Sequence, residues 1–285
     1  MESPSLRIAL TGGSGKLGKT VLARLRAEGH EVVNFDLAGS RGAGFVRIDL
    51  TDYGQVIDAF NGVNDQADGF DAVVHLGAIP APGLAPDVAT FHNNMLASYN
   101  VFQAARRAGI RRIVYASSET VLGLPFDTDP PYIPVDEEYP ARPESTYSLV
   151  KHLEEQMAIE LVRWDPKLSI TALRFSNVMD PADYAGFEAF QDDPSQRKWN
   201  LWGYIDGRDG AQAVLKALQT APPGFERFII AAADTVMRRP SVELAAEVFP
   251  HVELTAVPGT QTLLSIDKAR RLLGFAPEHS WQDPR

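Results

Sequence analysis

LRIALTGGSGKLGKT, residues 6–20, reads as a strand, a tight turn and the start of a helix. Leu6, Ile8, Ala9 and Leu10 form the apolar run, glycines stand at 12, 13, 15 and 18, and Leu17, Val21, Leu22 and Leu25 carry a helical period that stops at Gly29. Glycines let a backbone approach a phosphate closely, and the amides of a helix N-terminus then meet the negative charge. The same letters satisfy two motifs. Gly13, Gly15 and Gly18 give the G-x-G-x-x-G of dinucleotide sites, while Gly13, Gly18, Lys19 and Thr20 give the G-x-x-x-x-G-K-T of nucleoside triphosphate loops. A plain glycine-rich turn is the third reading, and the residues that follow have to choose.

EVVNFD (31–36) is a short strand that ends in Asp36, eighteen residues after Gly18, where an adenosine ribose would lie. A carboxylate there accepts from the ribose hydroxyls of NAD and repels the 2′-phosphate of NADP; Lys16 and Arg41 are the nearby cations that would favour that phosphate. FVRIDL (45–50) reads as a further strand ending at Asp49, which suits an adenine contact or, equally, a magnesium-binding aspartate of an NTPase. DAVVHLGA (71–78) is a fourth strand, with His75 read as a packed histidine, and residues 87–108 form a long helix that carries Asn94 and Asn100. RRIVYAS (111–117) is a fifth strand. Strands alternating with helices make an α/β fold with a doubly wound parallel sheet, in which ligands bind off the carboxyl ends of the strands. Ser117, Ser118, Glu119 and Thr120 then stand at the mouth of the site.

ESTYSLVKHLEEQMAIELVRW (144–164) reads as a helix with Tyr147 and Lys151 four residues apart on one face. A phenol with an ordinary pKa near ~10 needs a shift of about three units to act as a base near neutrality, which the Lys151 ammonium together with the positive nicotinamide of an oxidised cofactor would supply. At this point the chain resembles the extended short-chain dehydrogenase/reductases, the NAD-dependent epimerase/dehydratase family, from Leu6 to about Trp281. TGGSGKLG, Asp36, Asp49, HLGA (75–78), YASSETVLG (115–123), Tyr147 with Lys151, and LRFSNV (173–178) match family blocks in family order.

The resemblance implies a Rossmann-type domain over residues 1–175, completed by 207–230, and a small C-terminal substrate lobe from 176–206 and 231–285. It implies NAD held by Gly12, Gly15, Lys16, Leu17, Gly18, Asp36, Asp49, Leu50, Leu76, Gly77, Ala78 and Ser176, together with Tyr147 and Lys151. Tyr147 would be the acid/base, Lys151 its tuner, Ser118 the hydroxyl that orients the substrate oxygen, and Asn94 a member of the proton relay. Glu119, Thr120, Arg174 and Asn177 would face the substrate, Arg174 matching a carboxylate-facing arginine of uronate dehydrogenases. Lys19 and Thr20 become ordinary helix residues. Nucleotide-sugar dehydratases carry Asp-Glu where this chain has Glu119 and Thr120, so water elimination lacks its usual pair. The resemblance also implies a homodimer through the 87–108 and 144–164 helices.

Only 26 residues separate Asn177 from the returning YID at 204–206. That length suits a cover for a sugar-sized ligand, with Phe187, Phe190, Trp199, Trp202 and Tyr204 as apolar walls. The expected activity is therefore NAD-dependent oxidation of a sugar or sugar acid. A nucleotide-sugar epimerase is the alternative; a P-loop NTPase or a non-catalytic NAD-binding sensor lies further off.

Composition sets outer bounds. With 285 residues, 45% of them apolar, the chain can bury a full core. A formal net charge of −10 disfavours nucleic acid and anionic membranes as partners. No apolar run approaches membrane-spanning length and MESPSLRIAL lacks the features of a signal peptide, so a cytoplasmic location is expected. Cysteine is absent and the six histidines lack a ligand spacing, so no metal is expected.

Overall fold

The computed structural model describes residues 4–40, 42, 44–62, 69–221 and 223–283, so Arg41 lies outside the described residues. The chain opens with β1 (Arg7–Thr11), α1 (Lys16–Ala27), β2 (Glu31–Asp36), β3 (Phe45–Arg47) and α2 (Tyr53–Asn61). β4 (Ala72–His75), α3 (Asp87–Arg107), β5 (Arg112–Ser118), the two-residue β6 (Tyr132–Ile133), α4 (Thr146–Trp164) and β7 (Ser169–Phe175) follow. The remainder comprises β8 (Val178–Met179), β9 (Ile205–Asp206), α5 (Gly207–Thr220), β10 (Gly224–Ile230), α6 (Ser241–Val248), β11 (Glu253–Leu254) and α7 (Asp267–Leu273).

Seven strands form one parallel sheet in the order β3-β2-β1-β4-β5-β7-β10, the doubly wound arrangement expected from the sequence. Side-chain alternation sends Ile8 and Leu10 to the face covered by α1 and α5, and Ala9 to the face covered by α2, α3 and α4. The winding reverses between β1 and β4, which leaves a crevice at their carboxyl ends.

Two elements differ from expectation for local reasons. β3 stops at Arg47 because the Asp49 carboxylate accepts from the Thr51 amide at 2.9 Å and the Thr51 hydroxyl at 2.7 Å, which turns the chain toward α2. β7, which the sequence does not single out as a strand, is buried at every residue and therefore has no polar alternation to reveal it.

After β7 the chain pairs β8 with β9, and residues between them form 3₁₀ turns at Pro181–Phe190, Pro194–Gln196 and Lys198–Asn200. Phe187, Trp202, Tyr204 and Trp281 belong to the same apolar cluster as Ile8 and Leu10. One core thus runs from under the sheet into the C-terminal segments. No described helix is long and apolar enough to cross a membrane.

Candidate active site

At the winding reversal the two loops touch backbone to backbone. A Cβ on Gly12 would lie 2.5 Å from the Gly77 nitrogen, and one on Gly18 would lie 2.1 Å from the Gly12 carbonyl oxygen. Only glycine permits this close turn. The loops open into a cavity of about 940 Å³ lined by Gly12, Ser14, Gly15, Lys16, Leu17 and Gly18, by Asp36, by Leu76, Gly77 and Ala78, and by Ser118, Glu119, Thr120, Tyr147, Ser176, Asn177 and Trp199. Asp36 Oδ2 accepts from the Ser14 amide at 3.0 Å, which fixes the acid beside the glycine loop. Lys16, by contrast, pairs with Asp183 of the first 3₁₀ turn and so ties that loop to the cover.

Ser145 caps α4: its hydroxyl accepts from the Ser148 amide at 3.1 Å while the Ser148 hydroxyl accepts from the Ser145 amide at 2.8 Å. Tyr147 therefore stands in the first turn, where the helix end favours a negative oxygen. One turn on, the Lys151 Nζ lies 5.9 Å from the centre of the Tyr147 ring. Burial pushes the Tyr147 phenol above its usual range, and the Lys151 ammonium and Ser118 hydroxyl pull against that rise. Burial also opposes the charge on Lys151, but Glu154, Tyr147 and Glu155 together outweigh it and hold the ammonium above the ordinary lysine range. Ser118 ends β5 and receives the Thr120 amide at 3.2 Å and the Thr120 hydroxyl at 3.0 Å, so its own O–H remains to be given to a substrate oxygen.

Glu119 is the other titrating wall. Burial lifts its carboxyl to about 7, against the opposing influence of Ser176, Asn200 and Arg197. Asn200 donates to Glu119 Oε1 at 3.2 Å, whereas Glu119 Oε2, the Ser176 hydroxyl, Asn200 Oδ1 and Arg197 Nε are buried without a hydrogen-bond partner. Unpartnered buried polar atoms are rare; here Glu119 and Ser176 line the cavity, while Asn200 and Arg197 lie outside its lining beside Glu119. Asn200 was not legible as a site residue. Arg197 lies over the Phe190 and Trp199 rings and donates to the Gly203 carbonyl at 3.0 Å.

Several expected site residues stand elsewhere. Arg174 is fully buried, gives Nε and Nη2 to Glu155 at 2.8 and 2.7 Å, and does not reach the cavity; its strand position points it at α4. The Asn94 side chain holds the loop after β4 by accepting from the Ile79 amide at 2.8 Å and donating to the Ile79 carbonyl at 3.0 Å. Asp49 and Leu50 lie outside the cavity lining, the first spent on Thr51 and the second packed against Gly77. Lys151 is likewise absent from the lining, because its Nζ is turned to the Ala116 carbonyl at 2.8 Å and to Glu154. Of the five aromatic residues expected as walls only Trp199 lines the cavity, while Phe187, Trp202 and Tyr204 pack the core. Lys19 is exposed and away from the loop mouth and Thr20 faces Gly207, which removes the NTPase reading. Among the described residues no cluster of three or more potential metal ligands occurs.

Residues 8–193 match the sequence model of the NAD dependent epimerase/dehydratase family. Curated relatives include UDP-glucose 4-epimerase 2 of Oryza sativa subsp. japonica, 28% identical over 73% of this chain and 53% of its own length. Another is the uronate dehydrogenase of Pseudomonas syringae pv. tomato, 30% identical over 55% of this chain and 54% of its own. The chain thus spans about half the length of these relatives. Similar solved structures include a short-chain dehydrogenase/reductase superfamily protein from Agrobacterium tumefaciens with bound NAD, at TM-score 0.71, 25% identity, and 97% and 94% coverage of the two chains. A UDP-galactose 4-epimerase follows at TM-score 0.70, 26% identity, and 98% and 95% coverage.

Proposed function

The chain belongs to the NAD-dependent epimerase/dehydratase family, and from that premise we propose that it oxidises a hydroxyl group of a small polar substrate, a sugar or sugar acid, with NAD as the acceptor. The residues fit this cofactor: the Gly12–Gly77 contact makes a cradle that any Cβ would fill, Lys16, Leu17 and Gly18 line the cavity in the first turn of α1, where backbone amides have no partner within the helix, and Asp36 closes the far end. Bound NAD supplies a carbon that accepts the hydride. Ser118 donates a hydrogen bond to the substrate oxygen and holds it in place, and the Tyr147 phenolate takes the hydroxyl proton at its oxygen. Lys151 stabilises the phenolate by its charge, and Trp199 walls the ring of the substrate.

The observation that carries the substrate side is the charge of the cavity wall. Lys16 is its only cation among the described residues and is paired with Asp183, whereas Asp36, Glu119 and Glu144 add carboxylates. Beyond the α1 amides, which would be taken by the pyrophosphate of NAD, the diphosphate of a nucleotide sugar would find no free cation in this lining. With Arg174 committed to Glu155, a neutral sugar ranks ahead of a sugar acid. Screening aldoses, polyols and uronates for NADH absorbance tests the reading, and net NADH formation from a free sugar is the expected outcome. Epimerisation of a nucleotide sugar is the second reading, favoured by the epimerases among the relatives. Micromolar binding of a UDP, dTDP or GDP sugar to the NAD complex by calorimetry would put it first.

A further inference from the structure

His75, read from the sequence as a packed histidine, belongs to a buried hydrogen-bond chain that runs to Lys151. The Gly77 amide donates to the Thr11 hydroxyl at 3.3 Å, Thr11 Oγ1 lies 2.7 Å from His75 Nδ1, and His75 Nε2 lies 3.1 Å from Ser98 Oγ. Ser98 Oγ lies 2.7 Å from Glu154 Oε1, and Lys151 Nζ donates to Glu154 Oε2 at 2.9 Å. Thr11, His75, Ser98, Lys151 and Glu154 are each at most 3% exposed. Five polar groups from β1, β4, α3 and α4 therefore meet out of water.

The direction of each bond follows from the ends. The Ser98 hydroxyl donates its one proton to Glu154 Oε1, so it can only accept from His75, which therefore carries its proton on Nε2. A neutral imidazole protonated there accepts at Nδ1, so the Thr11 hydroxyl donates to His75 while its oxygen receives the Gly77 amide. At the other end an ammonium only donates. Both carboxylate oxygens of Glu154 thus receive a proton donor; burial pushes its carboxyl above the usual range, and the Lys151 charge with these two hydrogen bonds pulls it back toward the ionised form. Burial, and less strongly Lys151, hold His75 down to about 3, in keeping with a neutral ring.

We propose that Glu154 is the positioning residue of the centre: the Thr11–His75–Ser98 chain fixes it as a carboxylate, and it fixes Lys151 as a permanently charged ammonium at a set place beneath Tyr147. This rests on the reading of Lys151 as the tuner of Tyr147. The neighbouring Glu155 acts on Lys151 only by its charge at longer range, because its oxygens are taken by Arg174 and by the Ser117 hydroxyl at 2.7 Å. The groups that face Glu154 are Lys151, Tyr147 and Glu155 on α4, Ser98 on α3, His75 on β4 and Tyr115 on β5, with Arg174 of β7 behind Glu155. Lys151 is the only cation in direct contact with it among the described residues.

The test needs no substrate. In the full chain bound to NAD, imidazole nitrogen NMR of His75 should report the Nε2–H tautomer, without protonation down to about pH 5. In carbon-labelled lysine spectra assigned with Lys151→Arg, the Lys151 signal should stay charged beyond the ordinary lysine pKa near ~10.4 and titrate at least about one unit lower in Glu154→Gln, with recovery in Glu154→Asp. An Nδ1–H tautomer, a His75 titration near its ordinary value, or a Lys151 titration unmoved by Glu154→Gln would each overturn the proposal. The His75 measurement uses the unmodified protein, so it decides even if the Glu154 variants fail to fold. Failure of the oxidoreductase reading would show separately, as activity retained by Tyr147→Phe.

Discussion

Tyr147 and Glu119 face the same cavity and carry opposite duties. Tyr147→Phe removes only the proton-transfer group, so turnover should fall by roughly a thousandfold with NAD affinity nearly intact; steady-state kinetics with a titration of NAD fluorescence quenching checks both halves. Glu119 governs pH. Its carboxyl is raised from 4.5 to about 7 by burial, so its stabilising effect is complete below 4.5 and is lost as the pH climbs through about 7. His75 has the opposite sign: held down from 6.5 to about 3, it contributes stability above 6.5 that disappears as the pH falls toward 3. The Glu119 shift corresponds to roughly 3 kcal/mol at most between the two limits. Glu119→Gln should therefore raise Tm at about pH 8 relative to the unmodified protein and do much less at about pH 5, as read by thermal melts in matched buffers.

At the scale of elements, the loop between β1 and α1 decides the nucleotide. Asp36 is held by the Ser14 amide and Lys16 is occupied by Asp183, so no free cation of the described loop awaits a 2′-phosphate. NAD should bind at least about tenfold more tightly than NADP, and Asp36→Ala should narrow that gap in a titration of both cofactors. The glycine loop, the Tyr147/Lys151 pair and the parallel sheet were legible because each rests on local spacing. Arg174 was misread because a strand side chain has two faces and the letters LRFSNV do not say which is turned to the cavity. The Asn94 bond to Ile79 and the Asn200 bond to Glu119 join residues far apart in the chain, and no local pattern encodes such a meeting. The aromatic residues of the cover were ambiguous for a similar reason: the same side chain fills a core or a wall, and only the packing of Trp202 and Phe187 decides.

At the scale of the molecule, α3 leaves Val88, Leu96 and Tyr99 in water at 67, 48 and 49% exposure, and Leu149 of α4 is exposed at 39%. Apolar surface of this kind suits a partner, and we expect a homodimer through these two helices. Sedimentation should give twice the chain mass, and Leu96→Glu with Tyr99→Glu should give the monomer. The apolar cluster that joins Ile8 under the sheet to Trp281 near the last described residues has a thermodynamic consequence. Because one apolar cluster serves both the glycine-loop side of the sheet and the cover, heat should dismantle nucleotide site and cover in one cooperative step. Scanning calorimetry should show a single endotherm whose van't Hoff and calorimetric enthalpies agree per cooperative unit. Trp202→Ala, distant from the glycine loop in sequence, should then lower the temperature at which NAD is released as much as the temperature at which the cover is lost.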